Sequence, residues 1–212
     1  ALKLAQNQAN HGRKNLPVIQ KEFETALLRE QLPPTEHKRQ AAKGRRLLKK
    51  LLGDMKYQLP AGSLAEYELH NVRLDDARLS GTLDRVDRGE NSIHVVDYKT
   101  GQALPSFETE NQAEMLKAYH HKMQLIFYAL LLEAKDGHGG KISGEMVYVQ
   151  ADKPVNLSRG YTPTQEDKAR LAKLIKVVWK KVNNLDLPDV AIYTPDLAGM
   201  LAFEQDLLSG KI

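Results

Sequence analysis

Three residues, close in sequence, could do chemistry together. Asp84 lies in Gly81-Thr82-Leu83-Asp84-Arg85-Val86-Asp87, and Asp97 and Lys99 lie in Val95-Val96-Asp97-Tyr98-Lys99-Thr100-Gly101. Each acid falls at the end of a run that reads as a β-strand. Side chains alternate faces along a strand, so Asp97 and Lys99 point the same way. Two carboxylates and an ammonium gathered on one sheet face are costly unless something uses them. A divalent metal beside a phosphate is such a user. Hard cations such as Mg²⁺ take carboxylate oxygens, and a lysine beside them can hold a phosphate oxygen or orient an attacking water. Ile93 and Val95 share the face of Asp97 and Lys99, so the charges continue an apolar row. The plainer alternative is a strand-end Asp84 paired to Arg85 or Arg88, with Lys99 a surface lysine.

The flanking elements must position these groups. Leu64 to Leu74, Arg78 to Arg88 and Ser92 to Lys99 read as an antiparallel meander with turns at Asp75-Asp76 and Gly89-Glu90-Asn91. On the first strand Glu66, Glu68 and His70 share a face, which is either solvated or lends the site one more ligand. Arg85 and Asp87 face away from Asp84 and read as a structural salt bridge; His94 likewise faces away from Asp97. After a loop from Thr100 to about Thr109, Glu110 to Ala134 reads as a long helix ended by Gly137. Met115, Tyr119, Met123, Ile126 and Leu130 form its expected buried stripe. Lys117, His121, Gln124 and Tyr128, spaced by four, three and four, form a separate polar stripe. Tyr128 could instead belong to the core. Ile142 to Gln150 reads as a fourth strand, parallel to the one ending in Lys99 because a long helix joins them.

The outer segments read as helical. Leu16 to about Leu32 and Glu36 to about Tyr57 are two helices broken by Pro33-Pro34. Thr162-Pro163-Thr164-Gln165 opens another, with Thr162 as the expected N-cap and Gln165 as its return partner. Val190 to Tyr193 reads as a short strand-like piece, followed by a final helix.

The order G-x-x-D-R-x-D, hydrophobic strand, D-Y-K-T-G, then Q-x-x-x-Y (Gln124 and Tyr128) resembles the RecB-like nucleases of the PD-(D/E)XK superfamily, over about residues 60 to 135. The resemblance implies a restriction-endonuclease-like α/β core, a mixed β-sheet flanked by helices. It implies one domain over residues 1–212: a helical part to residue 60, a catalytic core over 61–150, and a helical part over 151–212. It implies hydrolysis of DNA phosphodiesters with Mg²⁺ or Mn²⁺, as an exonuclease rather than a sequence-specific endonuclease, in DNA-end processing, recombination or repair. Asp84, Asp97 and Lys99 would be catalytic. Asp84, Asp97 and the Tyr98 backbone carbonyl would hold the metal, and Gln124, Tyr128, Lys117 and His121 would bind DNA. DNA is the implied partner, together with helicase domains of the UvrD/RecB type in the same chain or complex. The sequence departs from the family at one point: no upstream helix offers a matching metal-binding histidine. His11 is the nearest choice, and Ala1 to Ala5 reads as the rear of a helix begun upstream. A nuclease-like DNA-binding module with little or no activity therefore stands as the alternative.

Composition narrows the field. The chain contains no cysteine, which excludes disulfides and a cysteine-ligated iron–sulfur cluster, a group some RecB-like nucleases carry. No run of about 18 apolar residues is present, and no signal-peptide pattern opens the chain, so a cytoplasmic protein away from membranes is expected. A net charge of +4 permits nucleic-acid binding without demanding it. His37-Lys38-Arg39, Lys43, Arg45-Arg46 and Lys49-Lys50 crowd one segment, either as a solvated helix face or as a phosphate-contacting one.

Overall fold

The computed structural model describes residues 16–54, 57, 60–137 and 140–212. Its N-terminal part is a helical pair, α1 (Leu16–Arg29) and α2 (Pro34–Leu48). Pro34 occupies the first turn of α2, where its missing N–H costs nothing. Gly44 lets the two helices approach, since a Cβ there would meet the Phe23 ring at 2.2 Å. The α-helix expected to reach Tyr57 stops earlier and widens into a π-helical turn, Lys49–Asp54. Tyr57 then folds back, its N–H donating to the Leu51 carbonyl at 2.9 Å.

β1 (Leu64–Leu74), β2 (Ala77–Arg88) and β3 (Ser92–Lys99) form the expected antiparallel meander. α3 (Gln112–Asp136) then crosses to β4 (Lys141–Tyr148), which runs parallel to β3 along its whole length. Asn111 caps α3 by accepting the Ala113 N–H at 3.1 Å, and Gly137 ends it at φ 60°. A fifth strand, β5 (Ser158–Tyr161), pairs antiparallel with β4 at the sheet edge. Ser-Arg-Gly-Tyr has neither alternation nor an apolar run, so no sequence pattern announces it. The sheet order is β1-β2-β3-β4-β5, a mixed sheet flanked by helices.

The chain closes with α4 (Gln165–Asn183) and α5 (Leu197–Ser209). The N-cap of α4 is Thr164, not Thr162. Thr164 accepts the Asp167 N–H at 3.1 Å and Asp167 accepts the Thr164 N–H at 2.8 Å, a capping box. Tyr161 also donates to Asp167, at 2.5 Å, which ties the cap to β5 and selects this register. Residues 190–193 form no strand; Val190 and Ile192 are exposed and so offer no buried face to hold one.

The core lies on both faces of the sheet. On one, Leu125, Ala129 and Leu132 of α3 pack with Val86, Val95, Ile142 and Met146. Gly144 permits this approach, because a Cβ there would come within 2.8 Å of Leu125. The buried stripe expected of α3 is a different one: Ile126 and Leu130 turn toward Leu171 of α4, and Met115, Tyr119 and Met123 are only half-buried. A helix caught between a sheet and a second helix needs two apolar stripes. On the other face Leu51 of the π-helical turn packs with Val96, Val147 and Val149. Among the described residues no helix is long and apolar enough to cross a membrane.

Candidate active site

β2 and β3 pair from Arg88↔Ile93 up to Arg85↔Val96, and the ladder then ends. The next positions in that register are Asp84 and Asp97. Here the Asp84 carboxylate takes over from the backbone, with Oδ2 accepting the Tyr98 N–H at 2.8 Å. The two strands thus part around the acids. β3 stays rigid beyond the fork because it remains paired to β4, Asp97↔Met146 and Lys99↔Tyr148.

Asp97 is 4 % exposed. The Lys99 ammonium ion-pairs with its Oδ1 and also donates to Gln124 Oε1 at 2.7 Å. Gln124 Nε2 lies 3.4 Å from Asp97 Oδ2 and 2.5 Å from the Tyr128 hydroxyl. One side-chain amide from α3 therefore links the ammonium, the buried carboxylate and a phenol. Lys99 approaches Asp97 Oδ1 closely but off the hydrogen-bonding direction, so that buried oxygen accepts no aligned hydrogen bond.

Burial pushes the Asp84 carboxyl above the usual aspartate range, and the charges of Asp97 and Glu66 push the same way. The Tyr98 N–H and Lys99 oppose them without cancelling them. Glu66 stands across β1 from Asp84, between the pairs Ala65↔Arg85 and Tyr67↔Leu83. Its backbone is left-handed, φ 47°, an uncommon conformation for a glutamate.

The polar stripe of α3 meets this fork at Gln124. Tyr128 is buried in the main core, so it supports Gln124 from beneath instead of presenting a DNA-contacting surface. His121 Nδ1 lies 3.0 Å from the Tyr148 hydroxyl. Burial, then the charges of Lys99 and Lys117, drive its pKa down to about 4, leaving a neutral imidazole. His121 therefore brings no positive charge toward a phosphate. Lys117 donates to the Gln102 carbonyl at 2.6 Å and lies over the Tyr148 ring, 5.8 Å from its centroid. Gln102 in turn belongs, with Thr100, Gln150 and Asn156, to the wall of an open polar cleft of about 630 Å³ past the ends of β3 and β4. Asp84 and Asp97 are outside that wall.

Among the described residues, no group of three or more His, Asp or Glu side chains is arranged to hold a metal ion. His70 pairs with Glu68 at 3.3 Å on the exposed outer strand. His94 lies on the other sheet face, against Ser143 at 3.0 Å. His11 lies outside the described residues. The fork itself still fits a hard cation. It offers a buried aspartate oxygen with no aligned donor, a second aspartate whose ionised form is disfavoured, and the adjoining Tyr98 peptide. Behind the fork the expected salt bridge of Arg85 and Asp87 forms at 3.0 Å; sequence reasoning missed only that Arg85 also bonds Tyr57 and Tyr98.

The fork sets two acids, a lysine and a glutamine side by side in a mixed sheet, residue types that could bind a cation and a phosphate together. The sequence profile described as the PD-(D/E)XK nuclease superfamily matches residues 2–193, and the chain belongs to that superfamily. Its members are nucleases that in general use divalent metal ions. No curated protein matches the chain. Among solved structures, one titled "Crystal structure of SSO0001" is similar at 19% identity and a TM-score of 0.33, covering 77% of this chain and 70% of that one. So low an overlap establishes no shared fold, and the assignment stands on the family match.

Proposed function

We propose that this domain is a RecB-like deoxyribonuclease that hydrolyses DNA phosphodiesters with Mg²⁺ or Mn²⁺. The observation that carries the reading is the meeting of Asp84, Asp97, Lys99 and Gln124 at one fork. Asp84, Asp97 and the Tyr98 carbonyl would hold the cation. The bound cation would supply Lewis-acid stabilisation of charge on the scissile phosphate and a more acidic water. Lys99 would hold a phosphate oxygen and stabilise charge as it develops. Gln124, held by Tyr128, would keep the ammonium turned toward the fork. Lys117 would contact the DNA backbone along the cleft. No base-reading motif is evident in the sequence, which favours cleavage without sequence specificity, as an exonuclease acting at DNA ends. The resemblance to the RecB-like group supports a cytoplasmic role in repair or recombination beside helicase domains. It also supports a single domain with residues 61–150 as its catalytic core.

The test is cleavage of end-labelled single- and double-stranded DNA with Mg²⁺ or Mn²⁺, by the wild type and by Lys99→Ala. Wild-type cleavage should need the metal. Lys99→Ala should lose about 100-fold or more in kcat, the scale for removing one preorganised charge-stabilising group. Its melting temperature should fall, since truncation leaves the buried Asp97 carboxylate without its ammonium, so rates are compared at a temperature where both proteins are folded. Equal cleavage by the two proteins would remove Lys99 from the chemistry. Metal-dependent DNA binding without cleavage by the wild type would favour an inactive nuclease-like module.

A further inference from the structure

On the sheet face away from α3, directly behind the fork, lies a buried arginine. Arg85 is 4 % exposed. Its Nη1 donates to the hydroxyls of Tyr57 and Tyr98, each at 3.0 Å, and its Nη2 pairs with Asp87 Oδ2 at 3.0 Å. The guanidinium carbon lies 5.5 Å from the Tyr57 ring centroid, and the two tyrosine rings meet edge-on at 6.3 Å. Burying such a group is costly, and here it is imperfectly satisfied: Arg85 Nε and Asp87 Oδ1 have no hydrogen-bond partner. A salt bridge kept only for stability could sit at the surface, where no desolvation is needed.

The arrangement is better explained by what it holds. Behind the sheet, Arg85 fixes the hydroxyl of Tyr98. In front of it, the N–H of the same residue holds the Asp84 carboxylate at 2.8 Å. The Tyr98 carbonyl is the third candidate ligand. One residue thus joins the back face to two of the three candidate metal ligands, Asp84 and its own carbonyl. Tyr57 extends the chain of contacts. Its ring packs against the Ile19 and Leu48 core of the helical pair, and also against the cluster that Leu51 of the π-helical turn forms with Val96 and Val147 of the sheet.

We propose that Arg85 is a positioning residue for the metal site, acting through Tyr98, and that Tyr57 makes the seating of the helical pair part of that positioning. The proposal rests on the nuclease reading. Arg85 does not touch substrate or metal; it sets the Tyr98 peptide, and the peptide sets Asp84.

The experiment is calorimetric titration with Mn²⁺, melting, and steady-state cleavage of an end-labelled oligonucleotide, for the wild type, Tyr57→Phe and Arg85→Lys. Tyr57→Phe keeps the ring and removes only the oxygen that Arg85 bonds. Arg85→Lys keeps the charge and loses the fork that spans two hydroxyls and a carboxylate. Both should lose roughly 10-fold in Mn²⁺ affinity, the scale for residues that orient metal ligands. At limiting Mn²⁺, kcat should fall in step while KM for DNA stays unchanged. Saturating Mn²⁺ should restore kcat in Tyr57→Phe, which a general loss of folded protein would not allow. Unchanged Mn²⁺ affinity in both variants, whatever their melting temperatures, overturns the proposal. A wild type that neither binds Mn²⁺ nor cuts overturns the nuclease reading too, and that failure shows before any substitution is made.

Discussion

Asp84 is held in a conflict that a cation would relieve. Its folded carboxyl titrates above the usual range, first because it is buried and then because Asp97 and Glu66 are near. An acid whose pKa is raised on folding binds its proton more tightly in the folded state. Its favourable contribution is therefore present at low pH, is lost as pH rises through the raised value, and leaves a cost at neutral pH. Asp84→Asn removes that cost and keeps an acceptor for the Tyr98 N–H. Without metal at neutral pH the variant should melt higher than wild type, and the gap should close as the solution is acidified. Adding Mn²⁺ should raise the wild-type melting temperature by mass action and leave the variant unmoved. Melting curves from acid to neutral pH, with and without Mn²⁺, check both statements. A variant that melts lower at neutral pH without metal would show that Asp84 is a structural anchor. This residue pair was legible in the sequence because alternation fixes the face on which Asp84 and Asp97 fall, although Asp84 lies inside β2 and not at a strand end as expected; only its pairing with β3 ends there. Glu66 was legible only as a member of a polar face, since its place opposite Asp84 depends on the pairing of β1 with β2.

Elements were legible where one pattern governed them, and misread where two partners competed. The meander and the parallel β4 followed from alternation, turns and the intervening helix. α3 carries two apolar stripes, and a reading that seeks one finds the stripe toward α4 and misses the stripe on the sheet. β5 has no pattern of its own and exists because β4 offers it an edge. Across the C-terminal elements the joint is a buried carboxylate. Glu204 of α5 accepts from the Tyr119 hydroxyl at 2.5 Å and 2.6 Å and from Arg170 Nη2 at 2.8 Å. It is 5 % exposed, so its removal leaves partners that were organised around a charge. Glu204→Ala should cost about 2–4 kcal/mol of stability, the scale for breaking a buried charged hydrogen-bond group. Because α5 packs on α3 and α4 and not on the fork, Mn²⁺ affinity should be unchanged. Chemical denaturation and calorimetry on the same protein test the two halves. A loss of Mn²⁺ affinity matching that of Tyr57→Phe would mean that any loosening of the fold reaches the site.

At the scale of the whole molecule the question is where DNA phosphates would be met. The sequence shows a basic segment but not which of its charges are spent. The structure divides them. Arg39 pairs with Glu36 at 2.8 Å, Arg45 with Glu24 at 2.6 Å, and Lys50 with Asp152 at 3.1 Å. Lys38, Lys43, Arg46 and Lys49 are exposed on α2 and the turn after it, with no ion pair among the described residues. Exposed pairs contribute little to stability, but a paired cation has less to offer a phosphate. The four without a partner among the described residues are thus the stronger candidates for backbone contact. Their helical pair is joined to the fork through Tyr57 and Arg85, so DNA held there would be held by the same body that seats the metal site. Each phosphate contact releases counterions, so log K falls with log salt by roughly 0.7 per contact for a single strand and 0.9 for a duplex. Reversing Lys43, Arg46 and Lys49 to glutamate should lower the salt slope of metal-free DNA binding by about 2 to 3 if all three touch phosphate. Reversing Arg39, Arg45 and Lys50 should change it less. Fluorescence anisotropy of a labelled oligonucleotide across a salt series reads the slope directly. An unchanged slope in the first variant would make this segment a solvated helix face and move the DNA path to the Lys117 side of the fork.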